Sequence, residues 1–306
     1  MRILFAGTPA TAATVLEGIL ASGHEVVAVL TREDSPLGRK KVLTASPVAE
    51  FAALRGLPVL KANRVDSDTL IEIAKHKIDL AIVVAYGVIL REESLMALPT
   101  GWFNLHFSML PKWRGAAPVQ RAIQNGDSET GVTLFKIDSG LDTGPLVANL
   151  QTTIQPDETA GDLLSRLSLL GVSLLNAELP SIYSGTYSLR EQVGEVTLAP
   201  KTSREEARID FKLEAKQLSD LIRAMNPEPM AWCNYQGEPM RILRARVISS
   251  AENQLPIGEV TLLDERVLVS CGSNSVLELL EVQPASRNPM SARDWANGQN
   301  QAVTLS

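Results

Sequence analysis

Through the first half of the chain, short apolar runs alternate with stretches whose apolar residues return every three or four positions. Runs at 2–6, 25–30, 58–60, 80–84 and 102–106 predict buried strands, and helical spacing predicts helices over 10–21, from 46–47 onward and over 67–76. Ser46 supplies a capping hydroxyl, and Pro47 suits a first helical position, where its missing N–H costs nothing. Strands at 132–137 and 146–154 and a long helix over 160–183 complete the pattern. Such an order implies an α/β domain, a Rossmann-like and mostly parallel sheet with helices on both faces, assigned to residues 1–184.

The periodicity then fades. Residues 185–206 collect Gly, Ser, Thr and charge and read as a linker. Residues 207–306 open with a helix near 215–225 and continue in short alternating segments at 231–235, 241–248, 258–263, 267–270 and 276–282. Short strands punctuated by turn signals predict a smaller C-terminal β-barrel, OB-like in character.

Composition narrows the function classes. A chain of 306 residues with 45% hydrophobic and 21% charged residues can bury two sizeable cores. No uninterrupted apolar run reaches membrane-spanning length, and the N-terminus lacks a signal layout, so a cytoplasmic protein without membrane contact is expected. Cys233 and Cys271 are too few for a disulfide framework and lack paired zinc spacing, so both read as reduced thiols and no metal site is expected. A net charge of −6 argues against a protein that coats nucleic acid. It leaves room for a focal basic patch, for which Arg39, Lys40 and Lys41 are candidates.

Gly7-Thr8-Pro9 follows the first strand, where a dinucleotide-binding fold would carry G-x-G-x-x-G. Thr8, Pro9, Ala10 and Thr11 instead place Cβ atoms there and remove an N–H, which argues against NAD; no Walker sequence supports ATP. Ligands of open α/β sheets still bind beyond the carboxyl ends of the strands. One predicted strand ends in Asn104-Leu105-His106, and alternation sends Asn104 and His106 to one side with Leu105 opposite. The alternative is a histidine satisfied by backbone at a strand end. A long irregular loop, 107–115, follows, and a turn-rich segment, 138–145, carries Asp142. An amide donor, an imidazole and a carboxylate suffice for acyl transfer to an amine.

The stretch Asn104-Leu105-His106-Phe107-Ser108-Met109-Leu110-Pro111, with Trp113-Arg114-Gly115-Ala116-Ala117-Pro118 and the segment 138–144, resembles the formyltransferases that use 10-formyltetrahydrofolate. The likeness runs from Phe5-Ala6-Gly7-Thr8-Pro9 through Val84-Ala85-Tyr86-Gly87 to Ala224-Met225-Asn226-Pro227 and Pro229-Met230-Ala231-Trp232. It implies Asn104, His106 and Asp142 as the catalytic group, Ser108, Met109, Leu110 and Pro111 as a folate-contacting loop, and Val84, Ala85, Tyr86 and Gly87 as the wall around the pterin ring. Phe107 stands where the family is commonly small, and Met109 where Leu is more usual, which implies altered packing of that loop.

The same resemblance implies a formyl acceptor, the α-amine of methionine on initiator tRNA; a monomer is expected. Two features of the residues agree with tRNA. Residues 31–46 form a long loop carrying Arg39, Lys40 and Lys41, and loops of that length are often functional. The C-terminal strands carry Arg241, Arg244 and Arg246; Arg244 and Arg246 alternate onto one face and are assigned to RNA, although acidic residues slightly outnumber basic ones from Ala207 onward. A solvated loop and a charge-defended strand edge are the plain alternatives. Formylation of a small amine and a non-catalytic RNA-binding module remain the competing functions.

Overall fold

A computed structural model describes residues 1–38, 40–248, 255–299 and 301–306. Two compact units build the chain, one from Met1–Pro118, Thr130–Thr152 and Leu164–Ala199, the other from Val119–Glu129, Thr153–Leu163 and Pro200–Ser306.

The elements of the first part are β1 (Ile3–Gly7), α1 (Ala10–Ala21), β2 (Val26–Thr31), β3 (Ser35–Leu37), β4 (Val42–Thr44), α2 (Pro47–Leu54), β5 (Val59–Lys61), α3 (Ser67–Lys75), β6 (Leu80–Val84), α4 (Glu92–Met96), β7 (Gly101–His106), β8 (Arg114–Gly115), α5 (Pro118–Gln124), β9 (Glu129–Lys136), β10 (Leu146–Thr153), α6 (Ala160–Ser184) and β11 (Leu198–Ala199). Among the described residues seven strands share one sheet in the order β10-β9-β7-β6-β1-β2-β5. The five strands from β7 to β5 pair in parallel, and β9 joins β7 antiparallel. The chain builds outward from β1 to β2 and β5, then returns to β6 on the other side, so the switch point lies between β1 and β6. A ligand crevice is expected there.

Alternation assigns the two faces. Leu4, Ala6, Ala81, Val83 and Trp102 share a core cluster with Ile73 of α3 and with Leu90 and Leu98. On the opposite face Leu105 packs against Gly171 of α6, and Gly18 of α1 lies against Val172, so α6 closes tightly on β7 and α1. Gly7 is explained by packing and not by a phosphate: a Cβ there would meet Ala12, Phe5 and the Val84 carbonyl oxygen at 2.8 to 2.9 Å. Ser46 caps α2 as expected, its hydroxyl accepting from the Ala49 N–H at 3.0 Å and meeting the Thr31 hydroxyl at 2.6 Å. A cap of this kind contributes about 1 kcal/mol.

The segment read as one long loop between β2 and α2 holds a hairpin, β3 against β4, with Leu37 opposite Val42 and Pro36 opposite Leu43. The strands are three residues each and exposed on both faces, so no alternation betrays them. Lys40 and Lys41 stand exposed at its turn; Arg39 lies outside the described residues.

The second unit contains α7 (Ala215–Ala224), β12 (Trp232–Tyr235), β13 (Glu238–Ile248), β14 (Glu259–Leu263), β15 (Arg266–Ser270), β16 (Val276–Gln283), β17 (Met290–Ser291), α8 (Ala292–Asn297) and β18 (Val303–Thr304). Its antiparallel sheet runs β12-β13-β16-β15-β14-β18 and curls around a core that includes Leu218, Ile222, Ile242, Val269 and Trp295, a nearly closed barrel. Both cysteines are buried thiols, each pushed up to about 12 by burial.

The sequence reading kept 119–129 and 153–163 in the first domain. Polar contacts without periodicity bind them into the second unit. The Arg121 guanidinium donates to the carbonyl oxygens of Pro200 and Lys201 and pairs with Glu206 at 3.1 Å, while buried Arg223 donates to the Glu158 carbonyl oxygen at 3.0 Å and pairs with Asp220 at 2.6 Å.

Candidate active site

Strand β7 delivers the site. Register sets Asn104 beside Val83 of β6 and opposite Phe135 of β9, with His106 opposite Thr133. Asn104 and His106 therefore share one side while Leu105 is committed to α6, as alternation predicts. They open into a cavity of about 560 Å³ beyond the ends of β6 and β7, of ligand size for a small-molecule site. Its walls include Val88, Leu90, Phe107 and Ile137, with Asn104, His106 and Asp142 as convergent polar groups.

His106 is buried, and its Nε2 lies 2.9 Å from the Trp113 carbonyl oxygen. A carbonyl only accepts, so this contact assigns a proton to Nε2 and turns Nδ1 toward Asp142, whose Oδ2 stands 3.8 Å away. That spacing exceeds a direct hydrogen bond. Asp142 Oδ2 accepts from the Gly115 N–H at 2.8 Å. Its backbone takes the left-handed conformation, φ +52°, which a non-glycine residue adopts at a cost of about 1 to 3 kcal/mol and which recurs at functional sites. Asn104 has no side-chain hydrogen bond among the described residues, so its amide is available to a ligand.

The turn carrying Asp142 is fastened by Asp138, whose Oδ1 accepts from the Gly140 N–H at 3.1 Å and the Thr143 hydroxyl at 2.6 Å. Gly140 and Gly144 admit no Cβ, which would collide with the Thr143 side chain and the Lys136 carbonyl oxygen respectively.

The segment after β6 forms another wall. Ala85, Tyr86 and Gly87 line the cavity, with Ala85 and Gly87 at positive φ. Tyr86 is pinned from both ends: its hydroxyl donates to the Ala62 carbonyl oxygen at 2.7 Å, and its own carbonyl oxygen accepts from Thr8 at 3.0 Å. Burial pushes its phenol up to about 12, against the opposing pull of Arg32.

Five residues expected at the folate lie outside the cavity's lining. Val84 is fully buried in β6. Ser108 donates its hydroxyl to the Lys112 carbonyl oxygen at 2.6 Å, and its own carbonyl oxygen accepts from Thr133. Met109 rests its sulfur against Gly131, Leu110 packs with Phe135 and Leu146, and Pro111 lies beside Gly194. These side chains shape the loop that returns Trp113 to His106. Phe107, by contrast, lines the cavity.

In the second unit a bulge at 242–245 resets the alternation of β13, so that Arg241, Arg244 and Arg246 are all exposed. Each is partnered. Arg241 donates to Gln283, Arg244 pairs with Asp162 at 3.2 Å, and Arg246 pairs at 2.7 Å with Glu278, which also accepts from Arg266. Sequence reasoning missed Arg204 and Arg208. Both are exposed, both lie over the Trp232 ring at 5.3 and 5.7 Å, and neither has an ion pair among the described residues. Among the described residues no group of three or more His, Cys, Asp or Glu is arranged to hold a metal, and no helix is long and apolar enough to cross a membrane.

Asn104, His106 and Asp142 converge on one cavity beyond the ends of β6 and β7, and sequence comparison gives the class of the chain. Residues 1–179 match the formyl transferase family and residues 201–300 match the formyl transferase C-terminal domain; the chain belongs to the formyl transferase family. Methionyl-tRNA formyltransferases of Paenarthrobacter aurescens (strain TC1) and Streptomyces coelicolor are 46% and 43% identical to it, over 97% of this chain in both cases and 97% and 96% of the relatives. Among solved structures, the sugar 3N-formyl transferase WlaRD, in the presence of dTDP and 5-N-formyl-THF, superimposes with a TM-score of 0.67 at 19% identity over 94% of this chain and 99% of that one. HypX from Aquifex aeolicus in complex with tetrahydrofolic acid does so with a TM-score of 0.68 at 17% identity, over 99% of this chain and 50% of that one. At such identities the likeness is one of fold.

Proposed function

We propose that this chain transfers the formyl group of 10-formyltetrahydrofolate to the α-amine of methionine on initiator tRNA, giving N-formylmethionyl-tRNA for translation initiation. The observation that carries the reading is the convergence of Asn104, His106 and Asp142 in one cavity with largely apolar walls. Kinship with methionyl-tRNA formyltransferases over nearly the whole chain supports tRNA as the acceptor. The reaction belongs in the cytoplasm and needs one active site, which fits a monomer.

The cavity suits a folate: apolar walls at Val88, Leu90, Phe107 and Ile137 for its rings, and the polar backbone of Ala85, Tyr86 and Gly87 for the edge of the pterin. The cosubstrate supplies an activated formyl carbon. The Asn104 amide donates to the formyl oxygen, where negative charge builds, with His106 beside it. Asp142 holds His106 in orientation and accepts the proton that the amine loses. A bond forms from the amine nitrogen to the formyl carbon, the bond from that carbon to N10 breaks, and the proton ends on N10. In this reading the unit built from Met1–Pro118, Thr130–Thr152 and Leu164–Ala199 is catalytic, and the unit built from Val119–Glu129, Thr153–Leu163 and Pro200–Ser306 binds tRNA. Ser108, Met109, Leu110 and Pro111 serve as framework for the site. Arg39, Lys40 and Lys41 and the arginines of the second unit meet RNA phosphates.

The test is transfer of labelled formyl from 10-formyltetrahydrofolate to methionine-charged initiator tRNA, beside a panel of small amines and the His106→Ala variant. Labelled aminoacyl-tRNA that disappears in the variant supports the reading. Label confined to a small amine overturns the tRNA acceptor and keeps the site.

A further inference from the structure

Four hydrogen bonds converge on one side chain in the segment between β10 and β11. Gln192 Nε2 donates to the carbonyl oxygens of Asp142 at 2.8 Å and Gly144 at 2.9 Å. Its Oε1 accepts from Arg114 Nε at 3.1 Å and Nη2 at 2.7 Å. Arg114 directly precedes Gly115, whose N–H holds the Asp142 carboxylate. The amide thus ties together the two pieces of chain that meet at Asp142: the turn that carries it and the strand that donates to it. The surrounding backbone is stitched to the same two places. Arg190 exchanges hydrogen bonds with Leu146 at 2.7 and 2.9 Å, and the Arg114 N–H donates to the Thr197 carbonyl oxygen at 2.9 Å.

We propose that Gln192 is a positioning residue for formyl transfer, clamping the left-handed turn so that Asp142 faces His106; this rests on the catalytic reading of Asn104, His106 and Asp142 given above. Only an amide side chain satisfies the place. It offers two donors to two carbonyl oxygens and, at its other atom, an acceptor to a guanidinium. A glutamate would keep Arg114 and set a carboxylate oxygen against both carbonyl oxygens. A lysine would reach the carbonyl oxygens and repel Arg114. The left-handed turn is costly on its own, so it persists where its surroundings over-determine it, and Gln192 supplies that constraint.

The experiment compares the wild-type chain with Gln192→Glu and Gln192→Met. Both are expected to stay folded at assay temperature, since Gln192 is only partly buried and the backbone hydrogen bonds of Arg190 with Leu146 and of Arg114 with Thr197 still hold the segment. In both, kcat is expected to fall by about ten- to a hundredfold with KM for each substrate held within about twofold, because a shift of about 1 Å in a catalytic group can cost that much. A second readout is independent of turnover. The chain has three histidines, and their imidazole nitrogen NMR signals can be assigned with a His106→Gln variant. Gln192→Glu is expected to move the His106 signals and leave those of His24 and His76 in place. Wild-type kcat in both variants, or a fall in kcat with unmoved His106 signals, overturns the proposal. Absence of transfer by the wild-type chain would sink the functional reading instead, and the NMR comparison would still decide whether Gln192 controls the surroundings of His106.

Discussion

At the end of β7, Asn104 keeps an amide without a hydrogen-bond partner among the described residues, and His106 faces Asp142 across 3.8 Å. On the outer face of the barrel, Arg246 and Arg266 both close on Glu278, at 2.7 and 2.8 Å, and Arg244 closes on Asp162. Both regions set polar side chains on strands, yet one leaves bonding capacity open and the other consumes it. Buried or half-buried polar groups are ordinarily satisfied by the protein itself, so capacity held open inside a cavity marks the place where a ligand completes the set. Saturated charges on a strand face serve the fold.

The largest expected effect breaks the first side of this contrast. Asn104→Ala removes a donor that no other group among the described residues uses, so its cost should fall on the transition state and spare the fold. We expect kcat to drop by about a hundred- to a thousandfold, the usual cost of one lost oxyanion donor, with an unchanged melting temperature. Steady-state kinetics beside a thermal melt checks this. A variant that melts early but turns over normally would reassign Asn104 to structure.

Much of this site was legible along the chain, because an Asn-x-His at the end of an apolar run obeys the period of two that any strand imposes. The breakdown elsewhere has physical causes. Gln192 sits in a stretch whose lack of period reads as a linker, and its work consists of hydrogen bonds to residues 48 to 78 positions away, which leave no periodic trace. Ser108, Met109, Leu110 and Pro111 stand next to the histidine in sequence, but the loop folds them onto Lys112, Gly131, Phe135 and Gly194, away from the cavity. In β13 the bulge brings Arg241 onto the same exposed face as Arg244 and Arg246, and neither the bulge nor the acids that meet the arginines can be read from spacing. The hairpin β3–β4 is too short and too exposed to carry a pattern at all.

A middle-sized effect sharpens the contrast within the second unit. Arg204 and Arg208, stacked on Trp232 and free of ion pairs among the described residues, are better placed to meet phosphates than Arg244 and Arg246, which already have acidic partners. The double change Arg204→Ala with Arg208→Ala should weaken tRNA binding by about tenfold and lower the salt slope by about 2, one for each lost phosphate contact. Arg244→Ala with Arg246→Ala should have less effect on the slope. Binding titrations at several salt concentrations separate the pairs, and the reverse ranking would return the RNA face to β13.

The smallest effect tests the saturated side by pH. Burial pushes the Glu278 carboxyl up, but hydrogen bonds from Arg266 and Arg246 outweigh it and hold the group below its ordinary value of 4.5. A carboxyl depressed on folding contributes stability that is fully present above the unfolded value and is lost as pH falls through the folded one. Glu278→Gln keeps the shape and removes the charge. At neutral pH it should cost about 1 kcal/mol, a modest figure because the two arginines are half exposed and screened by solvent. Below pH 4.5 the gap should narrow, since the wild-type carboxyl then takes up its proton and comes to resemble the amide. Melting temperatures of both chains from neutral pH down through that window measure the gap. If it stays constant or widens on acidification, the ion-pair cluster is not what stabilises this face, and the contrast between open and saturated polar groups loses its second half.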